Sequence, residues 1–378
     1  MDNPFTLDTI ELFHIRIPLR APFATSFGVT TDRETILLRA ITADGLEGWG
    51  EWAGDGPGYS YETVQTAWHI LNDYLIPLAL KAPWNDPRSA VERFGAVRGH
   101  NITKATLEAA LWDIAARRAG VSLRAFLSAV TRQPTRDRVP VGVSIGIQPS
   151  PEALVEQVGR YLEQGYRRIK IKIKPGRDIA DARAVRQAFP NALLMVDANS
   201  AYSLDDAPVL KQLDDLDLLM IEQPLGYDDI YQHSLLQPQL KTPICLDESI
   251  HSPDHARAAL ALGACRIINI KQGRSGGLTQ AVEIHDLCQA QHVPVWCGGM
   301  LETGIGRALN LALASLPNFT LPGDLSASAR YYERDVVDPP FVLNPDGTLS
   351  VPEGTGLGVQ VDFGYIAQIS LRREQQRG

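Results

Sequence analysis

The stretch Arg167-Arg168-Ile169-Lys170-Ile171-Lys172-Ile173-Lys174-Pro175-Gly176 organises the reading of the whole chain. Ile and Lys alternate over six residues, which is the period of a β-strand, so Lys170, Lys172 and Lys174 fall on one face and the isoleucines on the other. On a solvated strand such lysines would only guard an edge against aggregation. The segments that follow give them a different setting.

From Lys172 onward a charged residue closes each apolar run. These are Asp197 in LeuLeuMetValAspAlaAsn, Glu222 in LeuLeuMetIleGluGlnPro, Asp247 in IleCysLeuAspGluSer and Lys271 in IleIleAsnIleLysGlnGly, at steps of 25, 25, 25 and 24 residues. Each run is short enough for a buried strand and leads into a longer helical pattern, as in βα units with parallel strands. Strand candidates fall at 139–147, 167–173, 192–198, 217–222, 243–248, 265–271, 293–297 and 318–322. Closed into a barrel, such strands gather their C-terminal ends in one ring, where the catalytic groups of these barrels lie. Two lysines and three carboxylates then face one cavity.

The expected fold is therefore α/β: a modified TIM-type (β/α) barrel over 133–338, capped by an N-terminal α+β domain over 1–132. The C-terminal segment 339–378 has strand and turn character and is expected to pack back on the capping domain. Polar ThrArgGlnProThrArgAsp at 131–137 marks the boundary. Within the first domain 7–17 reads as a strand, and Ile36–Thr42 with the AspGly turn at 44–45 reads as a hairpin. Two Gly-containing, aromatic segments, 21–29 with Phe23 and Phe27, and 53–61, are either covers for a substrate or plain connectors with packed rings. Leu107, Leu111 and Ile114 share one face of an Ala-rich helix suited to lie on a sheet.

At 378 residues the chain has room for a barrel of about 250 residues and a smaller domain. Its 44% hydrophobic and 21% charged residues make an ordinary globular balance. A net charge of -8 with no basic cluster to offset it argues against nucleic acid as a partner. No apolar run reaches the roughly 18 residues of a membrane span, and MetAspAsnProPheThrLeuAsp lacks the features of a signal peptide, so a cytoplasmic protein without a membrane partner is expected. Cys245, Cys265, Cys288 and Cys297 show no paired-ligand spacing and read as buried thiols. Exposed apolar helix positions suit a homo-oligomer.

Asp197, Glu222 and Asp247 offer only oxygen ligands, from three successive strands. That donor set suits a hard cation such as Mg²⁺, for which Mn²⁺ can substitute. The alternative is that each acid caps the helix that follows it. An ordinary lysine is almost wholly protonated at neutral pH and is a poor base. Lys170 lies about 6.6–7 Å from Lys172 along the strand, and a like charge there, with a divalent cation near by, is expected to lower the Lys172 pKa toward the range of a general base. Lys271 faces the cavity from the other side. A substrate carboxylate on the metal would then hold its α-proton between two lysines, with Lys170 and the metal stabilising the enediolate. The alternative is that the lysines are ion-paired with the carboxylates.

Taken together, Lys-x-Lys, AspAlaAsn, GluGlnPro, AspGluSer and Lys-x-x-Arg-x-GlyGly resemble the enolase superfamily in its muconate-lactonising-enzyme-like subgroup, whose sites pair a Lys or His base with Mg²⁺. GlyTyrArgArgIleLysIleLysIleLysProGly at 165–176, ValAspAlaAsnSerAlaTyr at 196–202 and ValTrpCysGlyGlyMetLeuGluThrGlyIleGlyArg at 295–307 resemble o-succinylbenzoate synthases that also act as N-acylamino acid racemases. The resemblance implies Asp197, Glu222 and Asp247 as Mg²⁺ ligands, Lys172 as acid/base, Lys271 as the opposing lysine and Lys170 as enolate stabiliser, with Asn199 and Arg274 in support. Lys172/Lys174 also fits Lys-x-Lys, but Pro175-Gly176 ends the strand directly after Lys174 and favours the earlier pair. The implied reaction is Mg²⁺-dependent removal of a proton α to the carboxylate of a small molecule. It is syn dehydration of 2-succinyl-6-hydroxy-2,4-cyclohexadiene-1-carboxylate in menaquinone biosynthesis, or racemisation of N-succinylamino acids, or both.

In GlyGlyMetLeuGlu at 298–302 the glycines either admit substrate to the backbone, with Met300, Leu301 and Glu302 beside it, or turn a strand into a helix. Gly304-Ile305-Gly306 is too short for a dinucleotide fingerprint and reads as a helix start. Two rival classes remain at this point, a Schiff-base aldolase, which needs no metal, and a non-catalytic barrel.

Overall fold

The computed structural model describes residues 4–54 and 56–378. Met1–Asn3, and Asp55 within the expected covering segment 53–61, lie outside the described residues. The chain starts with three antiparallel strands, β1 (Leu7–Ala24), β2 (Val29–Thr42) and β3 (Glu47–Glu51). Segment 21–29 is thus mostly strand. It forms the tip of the β1–β2 hairpin, where Phe23 pairs with Thr30 and Ala24 with Val29, leaving a tight turn closed by the Thr25 N–H to the Gly28 carbonyl. Helix α1 (Asn101–Arg118) packs on this sheet and buries Leu107, Leu111 and Ile114.

The second unit is built from seven parallel strands: β4 (Gly142–Ile145), β5 (Arg168–Lys172), β6 (Leu193–Asp197), β7 (Ile221–Glu222), β8 (Ile244–Leu246), β9 (Ile267–Ile270) and β10 (Val295–Cys297). They neighbour one another in sequence order, as βα units require. The eighth candidate, 318–322, is not a regular strand, because Pro322 lacks an N–H for a ladder. It still closes the barrel. Phe319 bridges to Val295 and Gly323 to Val141, and the Asp324 N–H bonds the Cys297 carbonyl at 2.9 Å.

Alternation along each strand sorts the side chains. Ile169, Ile171, Leu194 and Val196 face outward into the main core, whereas Met195, Met220, Cys245, Ile267 and Trp296 form a separate cluster. Met195, Met220 and Cys245 lie two residues before Asp197, Glu222 and Asp247 on the same strand face, so an apolar layer underlies the charged ring.

Two further helices, α2 (Leu278–Ala290) and α3 (Gly304–Ala314), begin on carboxylates supplied by the capping domain. Glu108 of α1 accepts from the Leu278 and Thr279 N–H groups at 2.5 and 3.1 Å, and Glu51 of β3 accepts from those of Thr303 and Gly306 at 2.9 Å each. The first turn of a helix has unpaired N–H groups and a favourable field for an anion. A last strand, β11 (Ser370–Arg377), pairs antiparallel with β1, giving the sheet order β11-β1-β2-β3. Before it, Thr348–Ser350 pairs with Arg138–Pro140. Among the described residues no helix is long and apolar enough to cross a membrane.

Candidate active site

The ring at the C-terminal end of the barrel starts on β5. Alternation turns Arg168, Lys170 and Lys172 inward together, all buried. Lys174 lies beyond the strand, in a turn closed by backbone bonds with Arg177, so Lys170 and Lys172 are the pair that faces the cavity. Asp197, Glu222, Asp247 and Lys271 follow at the ends of β6, β7, β8 and β9. Lys172 and Lys271 therefore stand four strands apart in an eight-stave ring, on opposite sides, with the three carboxylates on the arc between them.

Each lysine finds a carboxylate. The Lys172 ammonium donates to Asp197 Oδ2 and Asn199 Oδ1, both at 2.6 Å, and that of Lys271 to Asp247 Oδ2 at 2.9 Å. Lys170 lies 2.9 Å from Glu222 Oε2 and 3.1 Å from Asp197 Oδ2. Ion pairing is the alternative raised from the sequence, and burial accounts for it, since ions out of water need partners. Among the described residues no three His, Cys, Asp or Glu side chains are gathered as a ready metal cage.

Burial raises the Glu222 carboxyl well above its ordinary range, and the charge of Asp197 adds to it. Asp247 goes the other way, because Arg274 and Lys271 outweigh its burial. For Lys170, burial opposes the charge, but Asp324, Glu222 and Asp197 prevail and hold the ammonium well above the usual lysine range. Burial, then Asp247 and Asp197, pushes Glu248 up to about 7.

The supporting residues fall around this ring. Asn199, held at φ 42°, bridges Lys172 to Glu248, to which its amide donates at 2.8 Å. Arg274 is ion-paired with Asp247 and donates to the Tyr59 hydroxyl at 2.7 Å. Phe23, Phe27, Met300 and Leu301 line the cavity with the lysines. Glu302 does not line it. Its carboxylate is buried beneath the loop, accepting from the Met300 N–H and the Asn310 amide at 2.8 Å each, so it fixes the backbone that presents Met300. The close approach at the glycines is to the protein itself. A Cβ on Gly298 would come within 2.6 Å of Lys271 Cε, and one on Gly299 within 2.2 Å of the Asp324 carbonyl oxygen.

Residues 8–128 match the N-terminal domain of mandelate racemase and muconate lactonizing enzyme, and residues 153–365 match the enolase C-terminal domain-like family. The chain belongs to the enolase superfamily. Among its superfamily relatives, an o-succinylbenzoate synthase from Geobacillus kaustophilus is 52% identical over 94% of both chains. An N-succinylamino acid racemase from Amycolatopsis is 50% identical over 93% of this chain and 94% of its own. A solved superfamily structure from Listeria innocua superimposes with a TM-score of 0.94 at 41% identity, over 99% of each chain.

Four residues around this charged ring were not singled out from the sequence: Tyr59, Arg168, Glu248 and Asp324. The Tyr59 hydroxyl accepts from Lys271 at 2.6 Å and donates to Asp247 Oδ2 at 3.2 Å. Arg168 was legible, being two residues before Lys170 on an alternating strand, and Glu248 directly follows Asp247. Asp324 follows the irregular eighth stave, where no strand period pointed to it.

Proposed function

We propose that the chain catalyses Mg²⁺-dependent removal of a proton α to a carboxylate, as an o-succinylbenzoate synthase of menaquinone biosynthesis that also racemises N-succinylamino acids. The observation that carries this reading is the placing of Lys172 and Lys271 on opposite sides of one cavity, with three carboxylates on the arc between them. The carboxylates fit a hard cation in chemistry. All their donors are oxygen, and they stand at the ends of three neighbouring parallel strands, Asp197 and Glu222 on adjacent staves in register. Asp197, Glu222 and Asp247 would hold Mg²⁺, which when bound lowers the cost of the charge that builds on the substrate carboxylate as its α-proton leaves.

The remaining work belongs to the chain. In dehydration Lys172, as the free amine, takes the α-proton, and the resulting ammonium returns a proton to the departing hydroxyl on the same face. The C–H and C–O bonds break, a ring double bond forms and water leaves. Lys271 stays cationic across the ring, and Lys170 faces the carboxylate. Asn199 keeps the Lys172 nitrogen on line. In racemisation one lysine removes the proton and the other delivers one to the opposite face, which the racemase relative favours as a second activity.

Proton NMR of N-succinyl-L-phenylalanine in D₂O with Mg²⁺ tests this. The expected result is loss of the α-proton signal with appearance of the D-enantiomer, and dehydration of the cyclohexadiene acid by the same preparation. EDTA should stop both reactions and Mn²⁺ restore them. An imine mechanism would instead survive the chelator and be trapped by borohydride. Failure to process either substrate with Mg²⁺ present would reject the reading.

A further inference from the structure

Lys170 has a third carboxylate partner, outside the arc and nearer than the other two. Its ammonium lies 2.6 Å from Asp324 Oδ2. Asp324 comes from the stave that closes the barrel, on the far flank from Asp197 and Glu222. It is itself anchored, since its Oδ1 accepts from Arg168 Nη2 at 2.6 Å and Arg168 is tied to the Pro322 carbonyl at 3.0 Å. The Trp296 ring lies beside both cations, 5.2 Å from the Arg168 guanidinium and 5.0 Å from the Lys170 ammonium. Strand β4 leaves room for this arrangement, for a Cβ on Gly142 would come within 2.5 Å of Arg168 Nε. Burial works against the Asp324 charge, but Arg168 and Lys170 hold its carboxyl far below the usual range.

Of the three carboxylates on Lys170, two belong to the set that would hold Mg²⁺. The same lone pairs cannot serve an ammonium and a divalent cation at once, and the two positive charges repel. We infer that Asp324 is a positioning residue whose carboxylate keeps Lys170 at the ring when Asp197 and Glu222 turn to the cation, with Arg168 holding Asp324 in place. This rests on the metal-dependent reading above. Without the Asp324 charge Lys170 can lean only on the ligand carboxylates, where it competes with the metal. Asp324 thus separates the lysine from the metal site.

The test is a double-mutant cycle on Mn²⁺ binding, read from the electron paramagnetic resonance signal of free Mn²⁺, with thermal melts to confirm folding. Asp324→Asn is expected to weaken Mn²⁺ by about tenfold, the scale of one charge-assisted hydrogen bond. In a Lys170→Met background, where the competing ammonium is gone, the same substitution should change the affinity little. Arg168→Lys, a milder change should Asp324→Asn fail to fold, is expected to weaken Mn²⁺ in the same direction by less. Equal weakening in both backgrounds, or none in the wild-type background, overturns the role given to Asp324. If the wild-type protein exchanges α-protons with metal while the cycle is additive, only that role falls. If it neither binds Mn²⁺ nor exchanges protons, the proposed function falls and this inference with it.

Discussion

Lys172 and Lys271 reach the cavity from opposite sides, but their surroundings differ. Lys172 rests on Asp197 and Asn199, whereas Lys271 is bound to Asp247 and to the hydroxyl of buried Tyr59, with its ammonium 4.9 Å from the Tyr59 ring. Substituting each should therefore separate the two reactions. Lys172→Ala is expected to lower dehydration by about 10²–10⁴-fold, the usual contribution of a positioned acid/base. Lys271→Met should abolish racemisation while one enantiomer of the N-succinylamino acid still exchanges its α-proton. Deuterium uptake measured separately for the L- and D-enantiomers checks this, and loss of exchange from both would contradict a two-base arrangement. The charged end residues were readable because each closes an apolar run at a near-constant step. Tyr59 was not singled out, although its segment 53–61 reads as a possible cover, since which of its rings meets the barrel depends on tertiary packing.

Among the elements, α2 and α3 show how the capping domain is fixed to the barrel. Each starts on a buried glutamate from the other domain, Glu108 for α2 and Glu51 for α3. Burial pushes the Glu51 carboxyl up to about 7, against the pull of its Thr303 donors. A carboxyl raised by folding favours its neutral form in the folded state. Its contribution to stability is complete below about pH 4.5 and is lost as pH rises toward 7. Glu51→Gln cannot ionise, so the melting temperature of the wild-type protein is expected to fall relative to that variant between pH 5 and pH 8, by an amount equivalent to about 3 kcal/mol at most. A difference that stays constant over this range would show that Glu51 does not titrate there. Glu108→Ala, which leaves the α2 N–H groups uncapped, is expected to cost about 1–2 kcal/mol, as measured by chemical denaturation. The cross-domain character of these caps hid them in the sequence, because a cap is recognised by its nearness in the chain to the helix it starts. The eighth stave was misread for a related reason. Segment 318–322 has the composition of a strand, but it closes the barrel through two isolated bridges and a few backbone bonds, and what it contributes to the ring, Asp324, lies just past the predicted end.

Across the whole molecule, the barrel was more legible than its cover. Parallel strands buried on both faces write a repeated apolar run into the chain. The cover has no such repeat. Its sheet is made from two distant parts of the chain, and the strand that completes it, β11, carries SerLeuArgArgGluGlnGlnArg, which a half-exposed edge position permits and which local propensity would not single out. The glycines at 298–299, which the sequence left open between admitting a ligand and turning a strand into a helix, also make room for Lys271 and Asp324, and Gly299 lines the cavity. The pairing of β1 with β11 also has a consequence for biosynthesis. Thr9 lies opposite Arg377, so the first long strand made waits for a partner that follows every stave of the barrel. A ribosome can release the staves in order, each beside the one before, but the sheet above them acquires its fourth strand only after residue 370 has emerged. A nascent chain stalled before that point should therefore hold a protease-resistant barrel beneath a cover that proteases still cut, and resistance of both would show that the sheet settles without its last strand.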